Sequence, residues 1–329
     1  MAIGTKSNFV IYDEEFSAAF VETLGQAIEE FHAGFGGAVN ILTAESQGDY
    51  RRERFFDFPS GGYVRRDITD VSTDLTPTAM TQDENIGVKL SRRYGPYSQT
   101  EDAFRRIAED PRLFSTLLGE NYAKVRVQEM LNTSIGACAA AITTEGNNLY
   151  DYAATGSSAT LDHTALVRGK RKLGDAADRV KVWVTNSGAM EALEVEQLSA
   201  GSGNVADFQI YQGGTGTLGL PMFVSDISYL TTSGTPGEYH VLGLVDNAIE
   251  IVVDTLPIVA MDRKLLKANL EMILQGEDDY VLGLKGFKWD TTNGGVNPTT
   301  ANVVTGSNWD VNVASNKDLA GVKIDVAQS

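Results

Sequence analysis

Between residues 13 and 32 the large apolar side chains Phe16, Phe20, Leu24, Ile28 and Phe31 recur at steps of three and four. That spacing lays one stripe along a helix, and Asp13 stands where an N-cap is expected. Gly34, Gly36 and Gly37 follow, so the stripe must dock across a flexible tether, on the chain's own body or on a neighbour. From about 46 to 98 the pattern changes to short β-prone runs around the turn signal PSGG, with few large aliphatic residues. This predicts a long two-stranded excursion. A hairpin with little core of its own is marginal in water unless its face packs elsewhere, so the pressure is towards an intermolecular contact.

Thr100 is placed to cap a short helix, EDAFRRIAE, and Asp110–Pro111 opens a longer one. Along the latter, Leu113, Phe114, Leu117, Leu118, Tyr122, Val125, Leu131, Ile135, Cys138 and Ile142 mark one broad face. Some 30 residues at 1.5 Å each give a rod of about 45 Å, long enough to be the spine of a domain. TTEGNNLYDYAATGSS reads as flexible, and LDHTALVRGKRKLGDAADR as a helix with Asp162 near its start and a solvated basic face. KVWVTN is a strand, SGAMEALEVEQL a helix opened by Ser187, and DFQIYQ, MFVSDIS, EYHVLGLV and AIEIVVD are strand-like, so residues 180 to 255 read as a helix beside a mixed sheet. Leu266, Ala268, Leu270, Met272 and Leu274 alternate and favour long strands, although a helical stripe can also be drawn. Beyond 290 the chain is rich in Thr, Asn and Gly, with Trp309 and GVKID as its ordered-looking pieces.

Composition narrows the chemistry. With 329 residues and 42% hydrophobic content, the chain can hold two domains with a real core. Cys138 is the single cysteine, which excludes an intramolecular disulfide and a cysteine-based zinc cluster. His32, His163 and His240 stand in unremarkable contexts, without metal-ligand spacing or a base beside Cys138, so neither catalytic nor metal-binding residues are expected. No signal peptide and no membrane-spanning run is evident. A net charge of −17 argues against a protein whose task is to grip nucleic acid phosphates. The charge is uneven: residues 50 to 106 carry ten basic and nine acidic side chains, leaving 17 basic against 35 acidic, or −18, for the rest. Arg51, Arg52, Arg54, Arg65, Arg66, Arg92 and Arg93 in that segment are the candidate contacts to the acidic body of another copy.

One motif points to a cofactor. Gly214, Gly216 and Gly219 form a literal G-x-G-x-x-G, which cradles a dinucleotide pyrophosphate when a helix begins where the glycines end. Here Leu220 and Pro221 follow at once and lead into the β-branched and aromatic run MFVSDISYL. No acidic residue about 20 positions on is placed to hold a ribose. The glycines therefore read as a tight connection before a strand, and no cofactor is expected.

The order of an N-terminal arm, a charged extended loop, a long spine helix, a compact α/β unit and returning strands resembles the HK97-type major capsid protein of tailed bacteriophages. VKVWVTNSGAMEAL followed by GGTGTLGLPMFVSD carries the most specific match, with Leu218, Gly219, Leu220, Pro221 and Asp226 in the positions of that family's connection into the next axial-domain strand. Gly216, Gly219 and Pro221 then belong to an axial-domain turn. The resemblance covers roughly residues 10 to 290. It implies an α+β HK97-like fold: arm 1–45, extended loop 46–98, peripheral spine-helix domain 99–175 with 256–290, axial domain 176–255 and C-terminal extension 291–329.

The function implied is a non-enzymatic shell protein of the virion capsid. It self-assembles in the bacterial cytoplasm through pentamers and hexamers around double-stranded DNA that it does not bind sequence-specifically. Scaffold and portal proteins are implied as partners, the scaffold as a separate chain because no long helical prosequence precedes the arm. No membrane partner is expected. An encapsulin-like cage holding cargo protein shares the fold and is the alternative. A nicotinamide-dependent enzyme, resting on the three glycines alone, is the rival from another class.

Overall fold

The computed structural model describes residues 6–44, 48–57, 64–70, 73–74, 76–77, 81–100, 111–156, 159–201, 219–233, 237–253, 258–264 and 271–328. The expected helix at 101–109, the strand at 207–212 and Leu266, Ala268 and Leu270 lie outside these residues. Among the described residues no helix is long and apolar enough to cross a membrane.

Helix α1 spans Lys6–Phe35, so Asp13 lies inside it and is not its cap. The apolar repeat marks the part that packs, whereas backbone hydrogen bonding continues beyond it. Phe16, Phe20 and Leu24 are buried against the long helix α2, Pro111–Glu145, whose 35 residues extend about 52 Å at 1.5 Å each. Phe16 and Phe20 set their rings on Tyr122 at centroid distances of 6.2 and 5.3 Å. The helices approach closely at Gly119, where a Cβ would stand 2.6 Å from the Phe16 carbonyl oxygen. The stripe thus docks on the chain's own body.

The buried face of α2 differs from the expected one. Tyr122, Leu131, Ile135, Cys138 and Ile142 are buried, but Leu117 and Val125 are 54% and 44% exposed and Leu118 is half-buried. Ala123, Arg126 and Val127 hold the inward positions instead. Ala123 and Arg126 do not register in a hydrophobic stripe, so apolar spacing alone places the buried face too far round the helix.

Fourteen strands among the described residues form two sheets. β1 is Val39–Thr43, β2 Tyr50–Asp57, β3 Thr81–Thr100, β4 Leu149–Asp151, β5 Val180–Thr185, β6 Met222–Val224 and β7 Thr231–Thr232. β8 is Glu238–Val245, β9 Ile249–Val253, β10 Ile258–Lys264, β11 Glu271–Leu284, β12 Phe287–Trp289, β13 Trp309–Val311 and β14 Gly321–Ala327. The eight-stranded sheet runs β1-β9-β11-β12-β13, with β10 and β3 on β11 and β2 on β3; the six-stranded sheet runs β4-β14-β8-β5-β6, with β7 on β8.

The expected excursion is the antiparallel pair β2–β3, registered from Tyr50↔Val88 to Asp57↔Thr81. Its base is better anchored than its composition suggests, because β3 continues along β11 from Val88↔Leu282 to Thr100↔Glu271. Val88, Leu90 and Tyr94 are buried there. Residues 258–264, 271–284 and 287–289 are strands, so Met272 and Leu274 do not belong to a helix.

Two further expectations are corrected. Residues 180–255 do not form one sheet, since β9 pairs with β1 and β11 in the larger one. The chain changes sheets at Asn247, which has φ of 52° and donates its N–H to the Gly37 carbonyl. The segment 291–329 is not an extension beyond the fold. Its strand β14 lies inside the smaller sheet, parallel to β4 and antiparallel to β8. A Cβ at Gly321 would meet the Gly243 carbonyl oxygen, so glycine there lets the backbones close up. β4 comes from the stretch that read as flexible; what orders it is a partner more than 170 residues away in sequence.

Helix α3, His163–Lys170, begins beside Asp162 as expected but ends before the 3-10 stretch Arg171–Arg179; Asp162 caps it, its carboxylate accepting from the Ala165 N–H at 2.5 Å. Helix α4, Ser187–Gly201, joins β5 to β6, which run parallel, and the short helix α5, Thr300–Val303, follows β12.

Candidate functional site

The structure separates the seven candidate arginines. Arg51 ion-pairs with Glu250 on β9 and with Glu53, both at 2.7 Å. Arg54 and Arg52 reach Glu84 at 3.0 and 3.5 Å across the β2–β3 pair, and Arg52 also lies over the Tyr50 ring. Arg92 is half-buried, 2.7 Å from Glu129 on α2, and its guanidinium lies 5.8 Å from the centre of the Tyr280 ring. These four are engaged within their own chain. Arg65, Arg66 and Arg93 are exposed and make no ion pair among the described residues.

Arg65 and Arg66 sit in the irregular stretch 64–70, between two apolar residues that are also in water: Val64 is 78% and Ile68 82% exposed. The stretch carries its own local hydrogen bonds. Asp67 Oδ1 accepts from the Thr69 N–H at 2.9 Å and from its hydroxyl at 2.7 Å. Asp70 accepts from the Thr73 N–H at 3.1 Å and also from its hydroxyl. The Thr69 N–H, and then its hydroxyl, hold the Asp67 carboxyl below the usual carboxylate range.

The glycine motif falls where a cofactor loop cannot work. Gly214 and Gly216 lie outside the described residues. Gly219 has φ of 75° with open space around its Cβ position, and the Pro221 carbonyl accepts from the Trp183 N–H at 3.0 Å as β6 joins β5. Strand, helix and parallel strand do follow one another here, but these glycines come after α4, whereas a phosphate needs the loop before the helix. At the start of α4 the Ser187 N–H already donates to Asp226 Oδ1 at 3.0 Å. The Ser187 hydroxyl, and then its N–H, depress the Asp226 carboxyl, and the carboxylate occupies the place an anion would take. Asp226 therefore ties the start of β6's following loop to the start of α4, a role the sequence does not display.

His240 is not unremarkable. It is buried on β8, with Nδ1 2.7 Å from Asp325 Oδ1 on β14 and Nε2 2.7 Å from the Thr232 hydroxyl. Lys323 Nζ lies 3.1 Å from the same Asp325 oxygen and donates to the Thr143 hydroxyl. Glu238 joins His240 and Asp325 within metal-ligand spacing, but the Lys323 ammonium already sits on the shared carboxylate and would repel a cation. Since 85 residues separate His240 from Asp325, no local motif signals the cluster. Cys138 is fully buried, and burial pushes its thiol up to about 12, which disfavours the thiolate a nucleophile needs.

Residues 8–323 match the family model described as Gp13-like, major capsid protein 13-like. No curated protein matches the sequence. Among solved structures, the chain is similar to one titled "Cyanophage Pam1 capsid asymmetric unit", at 11% identity and a TM-score of 0.54, over 89% of this chain and 92% of that one. A structure titled "Acidic stable capsid structure of Helicobacter pylori bacteriophage KHP30" matches at 11% identity and 0.53, over 88% of each chain. The "Capsid of Ralstonia phage GP4" matches at 12% and 0.51, over 89% of this chain and 87% of that one. At such identities the likeness is one of fold, an α+β HK97-like fold.

Proposed function

Because the chain belongs to the major capsid protein 13-like family, it is a structural protein of a phage capsid shell, and we propose that its subunits close into pentamers and hexamers partly through the β2–β3 hairpin. Heterologous contacts between identical subunits close into rings, and rings of five and six tile a closed shell. In this reading residues 1–45 act as an arm, 46–98 as the extended loop, and 176–255 as the axial unit, except that β9 belongs to the larger sheet and β4 and β14 complete the smaller one. The peripheral unit is 99–175 with 256–290. Scaffold and portal proteins are separate partners, assembly takes place in the bacterial cytoplasm, and DNA is enclosed without sequence-specific contacts. An acidic inner surface would let that DNA slide.

One observation carries the hairpin's part in this. Arg65 and Arg66 make no ion pair among the described residues, while the chain outside the 50–106 segment carries −18. Guanidinium groups are suited to bidentate contact with carboxylates of an adjacent copy. Reversal of Arg65 and Arg66 to Glu tests it by sedimentation and negative-stain microscopy. Shells should be lost while the subunit keeps its melting behaviour. Shells of normal yield would remove the hairpin as a charge-guided contact, and an unfolded subunit would place those arginines within the fold.

A further inference from the structure

Three strands of the smaller sheet place a hydroxyl, an imidazole and a carboxylate in line on one face. Asp325 on β14 stands directly opposite His240 on β8. Thr232 on β7 pairs with Glu238, two residues before His240, and so is a diagonal neighbour of the histidine on the same face. His240 Nδ1 lies 2.7 Å from Asp325 Oδ1, and Nε2 lies 2.7 Å from the Thr232 hydroxyl. His240 and Asp325 are buried whereas Thr232 is exposed, so the hydroxyl is the end of the line that solvent reaches.

The chemistry of the groups fixes the direction of each bond. A carboxylate only accepts, and Asp325 is kept as one: burial alone would raise it, but the hydrogen bond from His240 and the charge of Lys323 hold it low. The ring proton therefore sits on Nδ1. Nε2 keeps its lone pair and accepts from the Thr232 hydroxyl. A hydroxyl bonded to a base that a third group orients is the arrangement of an activated nucleophile. A histidine buried only for packing needs no exposed partner, whereas this one spends Nε2 on a threonine at the end of a two-residue strand.

We propose that Thr232 is a nucleophile towards small activated carboxylic esters, with His240 as its general base and Asp325 as the positioning residue. The Thr232 oxygen bonds to the ester carbonyl carbon as its proton passes to His240 Nε2. The ester C–O bond then breaks, and its electron pair leaves with the alcohol oxygen, which takes the proton back from His240. Water, activated by the same base, cleaves the acyl-threonine, releases the acid and restores the hydroxyl. Lys323 shares the Asp325 oxygen at 3.1 Å and draws charge from it, so this base is weaker than one whose carboxylate serves the ring alone. For that reason the ester must carry a good leaving group. All three groups belong to one chain, so the activity does not depend on a shell.

The probe is p-nitrophenyl acetate, with release of p-nitrophenol followed at mildly alkaline pH and acetylated peptides mapped by mass spectrometry. The full wild-type chain should release it at least about tenfold faster than Thr232→Val, a modest share of the roughly 10²–10⁴-fold that a positioned base supplies. Acetyl should be found on Thr232, Thr232→Ser should keep the activity, and His240→Gln should lose it. The chain has three histidines, so nitrogen-15 NMR can read the ring tautomer of each. His240 should carry its proton on Nδ1 in the wild type and on Nε2 in Asp325→Asn, where Lys323 claims the amide oxygen and leaves the NH2 group facing the ring. That variant should lose activity with the change of tautomer, a signature that a merely structural role for Asp325 would not produce. Equal release by wild type and Thr232→Val, or acetyl on lysines and none on Thr232, would overturn the nucleophile. Activity retained by folded His240→Gln, or a wild-type ring protonated on Nε2, would overturn the base. Thr232 is exposed, so its two variants decide the matter even if His240→Gln does not fold.

Discussion

Arg126 on α2 and Asp278 on β11 lie 2.5 Å apart, and their side chains keep only 2% and 4% of their surface in water. The guanidinium also lies over the Phe20 ring at 5.7 Å, and Asp278 Oδ1 accepts from the Tyr122 hydroxyl. One buried pair therefore joins the arm helix, the long helix and the long strand. Burial pushes the Asp278 carboxyl up against the opposing pull of Arg126. Arg126→Met leaves that carboxylate without its counter-charge and should cost about 3–5 kcal/mol. The double variant Arg126→Met with Asp278→Leu should recover much of the loss, as read by urea denaturation. A double variant no more stable than the single one would show that the pair is not the source of the effect.

The α1–α2 contact should be intolerant of any side chain at Gly119. A Cβ there meets the Phe16 backbone, which cannot swing aside, so Gly119→Val should separate the helices and expose Phe16 and Phe20. Increased binding of an apolar dye and faster proteolysis of the arm are the expected readouts. Leu117→Asp, at an exposed position of the same helix, should change stability by no more than about 0.5 kcal/mol. Ile135→Ala, fully buried, should cost about 2–5 kcal/mol.

The His240–Asp325–Lys323 cluster makes acid stability testable. Burial alone would raise the Asp325 carboxyl, but the hydrogen bond from His240 and the charge of Lys323 outweigh it and hold the group below 3.8. A depressed carboxyl contributes stability that is present above the unfolded value and is lost as pH falls through the folded value. The subunit should therefore weaken as pH drops below about 4. Asp325→Asn should be destabilised at pH 7 and lose less on further acidification. Parallel acid sensitivity of the two chains in urea titrations at several pH values would refute this role for Asp325.

Two kinds of arginine share the hairpin segment, and substitution should separate them. Arg92→Ala removes a half-buried partner of Glu129 and should lower subunit stability by about 1.5–3 kcal/mol. Arg65→Ala should leave melting unchanged, because its side chain pairs with nothing described in its own chain. A titration with NAD should be flat, since the start of α4 already serves the Asp226 carboxylate. Saturable micromolar binding would overturn that account of the glycine connection.

Local periodicity was enough to mark most of what repeats along the chain. The stripe of Phe16, Phe20 and Leu24, the long helix opened at Pro111, the cap at Asp162, strand β5, the helix at Ser187 and the two-stranded excursion are all written in neighbouring residues. The chemistry of phosphate binding likewise sufficed to set the glycines aside, because the order of loop and helix is itself a matter of sequence. Partners at long range were a different matter. Nothing near Gly321 says that it will lie against Gly243, and nothing near Asn247 says that β9 leaves one sheet for the other. Arginine content could mark a charged segment but could not sort Arg51 and Arg92, neutralised by Glu250 and Glu129, from Arg65 and Arg66. Helix and strand follow from the spacing of side chains along one segment. Which backbone edge is paired, which charge is matched and which face is covered depend on residues brought together from distant parts of the chain, and only the tertiary structure decides them.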